Sequence, residues 1–207
     1  MLEELKIKIL STAESLFRKF GTRSITMDEI ASTLGISKKT IYQIFKDKNE
    51  IIFDMMKNHS QNECKVLEKA SENITDALEE VVRISQYMVA ELKNLNPNFI
   101  YDLRKYHREA WDYYETIRQK MMHDRISQNI ERGIKEGLYM PDLNIDILVR
   151  MRMGHFAMIM NEQFFPPDQF SLLELHLFFL DHFLRGIVTP LGLEKYLLHK
   201  KNNPSKI

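Results

Sequence analysis

Between Thr26 and Lys48 the chain specifies two short helices and the turn that joins them. Ile30 and Leu34 stand four apart on the first helix, and Ile41 and Phe45 four apart on the second. Each pair therefore faces one small core while the opposite faces stay polar. Ala31 leaves room for the second helix to cross closely. Gly35 sits where the first helix must stop, because a residue without Cβ enters the left-handed region at little cost. Thr26 and Glu29 have the spacing of a capping box, and Ser37 can accept from the free N–H groups that open the second helix. The segment reads as a helix-turn-helix.

The residues of the second helix left over from the core are Ser37, Lys38, Lys39, Thr40, Tyr42, Gln43 and Lys46. Lysines suit phosphates and guanine edges, Gln43 suits adenine, and Thr40 suits a thymine methyl or a phosphate. Free N–H groups at the helix start suit phosphate as well. A lysine-bearing short helix is also an ordinary solvated face, and glycine turns between amphipathic helices occur in many helical proteins. Tyr42 among the lysines favours the DNA reading, since solubility does not call for an aromatic there.

The run Gly35-Ile36-Ser37-Lys38-Lys39-Thr40-Ile41-Tyr42-Gln43-Ile44-Phe45-Lys46-Asp47-Lys48 resembles the amino-terminal domain of the TetR family of transcriptional regulators. The similarity extends back through Ala13, Leu16, Phe17, Gly21 and Thr26 and forward to Ile51. The resemblance implies that the second helix enters the major groove, with Tyr42 and Lys48 on phosphates and Lys38, Lys39 and Gln43 near bases. Thr26, Ser37, Thr40 and Lys46 complete the expected DNA-contacting set. Lys39 stands where the family often has a small residue, which leaves its role open between base and phosphate.

Lys plus Arg and Asp plus Glu each number 29 in 207 residues, so positive charge has to be local to serve DNA. It is local: four lysines stand against Asp47 alone between Ser37 and Lys48. Hydrophobic residues at 44% exclude a disordered chain, and one cysteine, Cys64, excludes an intrachain disulfide and fits a reducing cytoplasm. The first residues lack the pattern of a secretory signal, and no segment offers the roughly 20 apolar residues of a membrane span. A cytoplasmic protein without a membrane partner is expected.

Leu5, Ile9, Ala13, Leu16, Phe17 and Phe20 trace a helical stripe ending at Gly21. Turn signals then fall at residues 71–76, 94–98, 137–144 and 166–168, with no alternating β-branched runs between them. The expected fold is all-α: a three-helix DNA-binding domain over residues 1–50, a helical effector-binding and dimerisation domain over 51–190, and a flexible tail over 191–207. The segments 144–161 and 170–188 are apolar on more than one face, as central core helices or as an interface. The resemblance favours a dimer interface built from these last two helices, which suits a palindromic operator. Gly154, Ala157, Phe179 and Phe183 are the expected interface residues.

A stretch rich in aromatics and methionine lies between. Such residues fill ordinary cores and also line adaptable apolar pockets. The resemblance implies a small-molecule cavity there, and Tyr87, Phe99, Trp111, Tyr114, Met122 and His155 are its expected walls, taking a small, mostly apolar effector. No enzyme motif occurs: there is no Gly-rich nucleotide loop, no nucleophile elbow and no His-Glu-x-x-His. The expectation is therefore a regulator with no catalytic residues, cofactor or metal. It is most simply a dimeric repressor, with an activator, an effector-independent regulator or a helical protein-binding module as alternatives.

Overall fold

The computed structural model of the chain describes residues 2–93 and 95–202. Ten helices are found among them: α1 Leu2–Phe20, α2 Met27–Leu34, α3 Lys38–Tyr42, α4 Lys48–Ala70, α5 Ala77–Lys93, α6 Pro97–Tyr106, α7 Arg108–Lys135, α8 Ile145–Ile159, α9 Leu172–Ile187 and α10 Pro190–Asn202. The described residues contain no β-sheet, only an isolated antiparallel bridge between Tyr139 and Val188. The fold is all-α, as expected. No helix among the described residues is long and apolar enough to cross a membrane.

Two compact units emerge, one of Met1–Glu63 with Asn94–Arg118 and one of Cys64–Lys93 with Gln119–Ile207. Compactness therefore does not divide at residue 50. The first unit keeps the opening half of α4 and takes in α6, because Phe99 and Leu103 of α6 complete the core made by Ile9, Ala13, Phe17, Ile30, Ile41, Phe45, Ile51, Ile52 and Met55. Phe20, placed on the buried stripe by its spacing, is exposed, while Leu10 is buried.

In the second unit Leu78, Ile130, Leu138, Tyr139, Val149, Leu180, Leu184, Ile187 and Tyr196 form the core. Gly133, Tyr139 and Asn129 show how tightly it closes. A Cβ on Gly133 would overlap the Tyr139 ring, and the Tyr139 hydroxyl donates to Asn129 Oδ1 at 3.0 Å. The Asn129 amide donates in turn to the Ala77 carbonyl at 2.9 Å. The tail expected from residue 191 is instead helical: α10 runs to Asn202, with Tyr196 fully buried and its hydroxyl donating to Asp181 at 2.9 Å. Residues 203–207, also assigned to that tail, lie outside the described residues.

Candidate nucleic-acid interface

Local chemistry sets the two reading helices. Thr26 is the N-cap of α2: its Oγ1 accepts from the Glu29 N–H at 3.2 Å, and the Glu29 carboxylate accepts from the Thr26 N–H at 2.6 Å. The capping box is complete. Gly35 closes α2 at φ +66, in the left-handed region where a side chain would be strained. Two residues later Ser37 caps α3, accepting from the Thr40 N–H at 3.1 Å, with the two hydroxyl oxygens 2.8 Å apart. Asp47 accepts from the Glu50 N–H at 3.0 Å and opens α4. Ile30, Ile41 and Phe45 are buried and Leu34 packs against them, as the spacing predicts.

The expected contact residues divide into three groups. Lys39, Tyr42, Gln43 and Lys46 are exposed. Thr26, Ser37 and Thr40 lie at helix starts with their hydroxyls in capping bonds. Lys38 and Lys48 already have partners. Lys38 Nζ lies 2.7 Å from Asp28 Oδ2, joining α3 to α2 across the turn, and this hydrogen bond raises its pKa. Asp28 thus competes with DNA for Lys38.

Lys48 differs more from expectation. Its Nζ donates to the carbonyls of Thr22 at 3.0 Å and Ile25 at 3.1 Å, in the turn between α1 and α2. Burial pushes this ammonium below its ordinary pKa, against the pull of Asp102 and Glu29. Lys48 is a brace inside the DNA-binding unit as well as a candidate phosphate contact.

The same turn is held from the other side by α6. Thr22 Oγ1 donates to Asp102 Oδ2 at 3.3 Å, the Arg23 N–H donates to the same oxygen at 3.1 Å, and His107 Nε2 lies 3.0 Å from Thr22 Oγ1. His107 Nδ1 lies 2.9 Å from Asn49 Oδ1 at the start of α4. Burial, then the charge of Lys48, holds His107 below the usual histidine pKa, with Asp102 opposing. Thr22, Asn49, Asp102 and His107 are positioning residues to which the sequence reading gives no such role; His107, a candidate there for orienting a polar ligand, holds this turn instead. No local signal marks them, because their partners lie up to 85 residues away.

The six expected effector residues fall in two sets. Phe99, Trp111 and Tyr114 belong to the first unit, where Phe99 is core and the Trp111 and Tyr114 rings stand 5.9 Å apart. The Tyr114 hydroxyl donates to Glu63 at 3.1 Å, and burial followed by the Glu63 charge raises its pKa well above the ordinary value. Tyr87, Met122 and His155 belong to the second unit, and each is half-buried.

Of the expected interface residues, Gly154 and Ala157 are exposed on α8 and Phe179 is half-buried on α9. Phe183, also expected at the interface, is 6% exposed and packs with Leu180, Leu184 and Ile187 in the unit's own core. The exposed aromatic of α9 is Phe178, 68% accessible.

A capped, glycine-turned helix pair with a polar, lysine-bearing outer face on an all-helical chain defines a helix-turn-helix DNA-binding regulator. Residues 9–55 match the model of the bacterial regulatory proteins of the tetR family. The chain is 24% identical over 184 residues to the uncharacterized HTH-type transcriptional regulator YvaF of Bacillus subtilis, covering 87% of this chain and 94% of that one. In fold it is similar to SmeT, the repressor of the Stenotrophomonas maltophilia multidrug efflux pump SmeDEF, with a TM-score of 0.66 at 20% identity over 89% of this chain and 91% of that one. It is similar also to SmeT in its complex with triclosan, with a TM-score of 0.65 at 18% identity over 89% and 92% of the two chains. Residues 9–55 thus match the tetR-family regulators, and the curated relative that the chain matches over most of its length is named as a transcriptional regulator.

Proposed function

We propose that the chain acts as a homodimeric repressor, holding a palindromic operator through α3 and leaving it when a small molecule binds the helical second unit. The observation that carries this reading is an unpartnered apolar face on α8 and α9. Ile147, Met151 and Met158 are exposed at helical spacing on α8 with Gly154 and Ala157 among them, and Phe178 is exposed on α9. Contiguous exposed apolar residues of this kind mark association surfaces. A Cβ built on Gly154 or on Gly186 meets no atom of the chain within 4 Å, so nothing internal to the subunit requires a glycine at either place. Close approach of a second copy does, and a two-fold axis makes the same face meet itself.

On the DNA side, Lys39 and Gln43 are assigned to base edges and Tyr42 to a phosphate. Lys38 joins them by exchanging Asp28 for the duplex, and Lys46 adds charge at the rim. The effector arm draws support from SmeT, a fold neighbour held in complex with triclosan.

Gly154→Leu tests the dimer. Its side chain enters open space in the subunit, so the fold should survive. In a packed seam it costs about 1–3 kcal/mol per subunit, felt twice about the axis. The expected result by sedimentation is a folded but dissociating protein with weakened binding to an operator selected from genomic fragments, since two half-sites are no longer held together. A variant that stays fully dimeric at low micromolar concentration refutes the assignment of this face.

A further inference from the structure

The second unit contains a guanidinium that the fold does not neutralise. Arg152 of α8 is enclosed by the protein, with its guanidinium carbon 5.7 Å from the centre of the Phe183 ring. Among the described residues no carboxylate pairs with it and no acceptor hydrogen-bonds to it. The groups placed near it are the Phe183 ring and the imidazoles of His155 and His176. One turn along α8, the His155 ring packs 5.0 Å from Phe179 and 6.2 Å from Phe183, and its Nδ1 is buried without any hydrogen-bond partner. His176 of α9 is buried, with Nε2 3.3 Å from Ser85 Oγ of α5.

Burial alone lowers the Arg152 pKa, to about 10. Burial, then the Arg152 charge, brings His176 down to about 4, and burial, then Arg152 and His182, lowers His155. Both imidazoles are thus neutral near pH 7, and Arg152 is the cation of the cluster.

Enclosing an unpaired cation is costly, and buried charges are ordinarily paired. A fully sealed core would select Met or Leu at such a position. As a whole residue Arg152 is half-buried and not sealed. A guanidinium offers two parallel N–H donors that match a carboxylate. The adjacent Phe179 and Phe183 rings and the unsatisfied His155 nitrogen supply an apolar wall and a second polar contact.

We propose that Arg152 anchors the carboxylate of an amphiphilic organic acid, with His155 at the polar end and Phe179 and Phe183 along the apolar end. The inference rests on the reading of the chain as a ligand-responsive regulator and names the chemical class of its effector. It sharpens the expectation of a mostly apolar effector to one that is apolar with an anionic end.

Isothermal titration of the full chain with octanoate, dodecanoate and 3-phenylpropanoate, each against its primary amide, tests it without DNA. At least one acid should bind more than about tenfold tighter than its amide, since hydrogen bonds to a charged group carry roughly that discrimination or more. Arg152→Met should abolish the preference and leave the amide unchanged, while Arg152→Lys keeps part of it. Unliganded, the Met variant should melt no lower than the wild-type protein, because it loses only an unpaired charge. An acid-to-amide ratio near one for every pair, or a ratio that survives Arg152→Met, overturns the proposal. So does dissociation of an Arg152→Met dimer with no change in acid binding, which would assign the cation to a carboxylate of a second subunit. Acid binding that fails to release a bound operator supports the site and refutes the release arm of the proposed function.

Discussion

Replacing Lys48 by Met asks what this side chain does before DNA arrives. Its ammonium joins the first residue of α4 to the Thr22 and Ile25 carbonyls, and both of those residues are buried. The variant keeps the apolar stem and deletes two hydrogen bonds from a charged donor. Such bonds are worth about 1.5–3 kcal/mol each where the acceptors stay dry. Here the two bonds are only part-buried, so a net loss of about 1–2 kcal/mol is expected. Urea unfolding followed by far-ultraviolet circular dichroism should show it. With a slope of about 2 kcal/mol per molar, the midpoint falls by about 0.5–1 M at unchanged slope.

The DNA arm of the same experiment separates the two roles of Lys48. A lysine that neutralises one phosphate reduces the salt dependence of binding by about one when removed. A brace lowers affinity by letting the turn before α2 move, with little change in slope. Both effects together mean that the third N–H of the ammonium serves DNA while two hold the turn. The reasoning fails if the variant is as stable as wild type to within about 0.3 kcal/mol, for then the two carbonyl contacts contribute nothing net.

Two further outcomes follow from capping and from linkage. Thr26→Ala removes one half of the capping box of α2 and should cost about 1 kcal/mol, read as a lower urea midpoint, whereas Thr26→Ser should cost much less. His176 has its pKa lowered from 6.5 to about 4 by burial, then by Arg152, so the folded form stays neutral where the unfolded form takes up a proton. Its contribution is therefore complete above about pH 6.5 and is lost as pH falls toward 4, on the order of 3 kcal/mol in all. Urea titrations from pH 7 to pH 4 should show this dependence in wild type and a flatter one in His176→Gln; equal slopes would refute the assignment.

The helix-turn-helix was legible because its determinants are neighbours in sequence. Thr26 and Glu29, Gly35, and Ser37 with Thr40 each act across five residues or fewer, and the structure returns each in the expected role. The break between α6 and α7 was not legible. No glycine or proline marks His107; the chain turns there because Thr22 and Asn49 hold its ring, 85 and 58 residues away in sequence. The helix in place of a tail has the same kind of cause, since Tyr196 and Lys200 both reach Asp181 on α9.

The apolar helices show a third kind of limit. When a helix is apolar around most of its circumference, periodicity says that two faces are covered and not which face meets which neighbour. Phe178 and Phe183 are equivalent in composition, yet five residues on a helix turn the chain about 140° past a full circle. That rotation puts Phe183 against Leu180 and Ile187 and leaves Phe178 in solvent. Arg152 is inconspicuous in the sequence for the same reason. On sequence it is one cation among the methionines of α8, and only the folded position, beside Phe183 and without a carboxylate, distinguishes it from the exposed Arg150 that pairs with Asp146 at 3.0 Å two residues earlier. A functional charge on such a helix becomes recognisable through the partner it lacks, which is a property of the packed unit and not of the string.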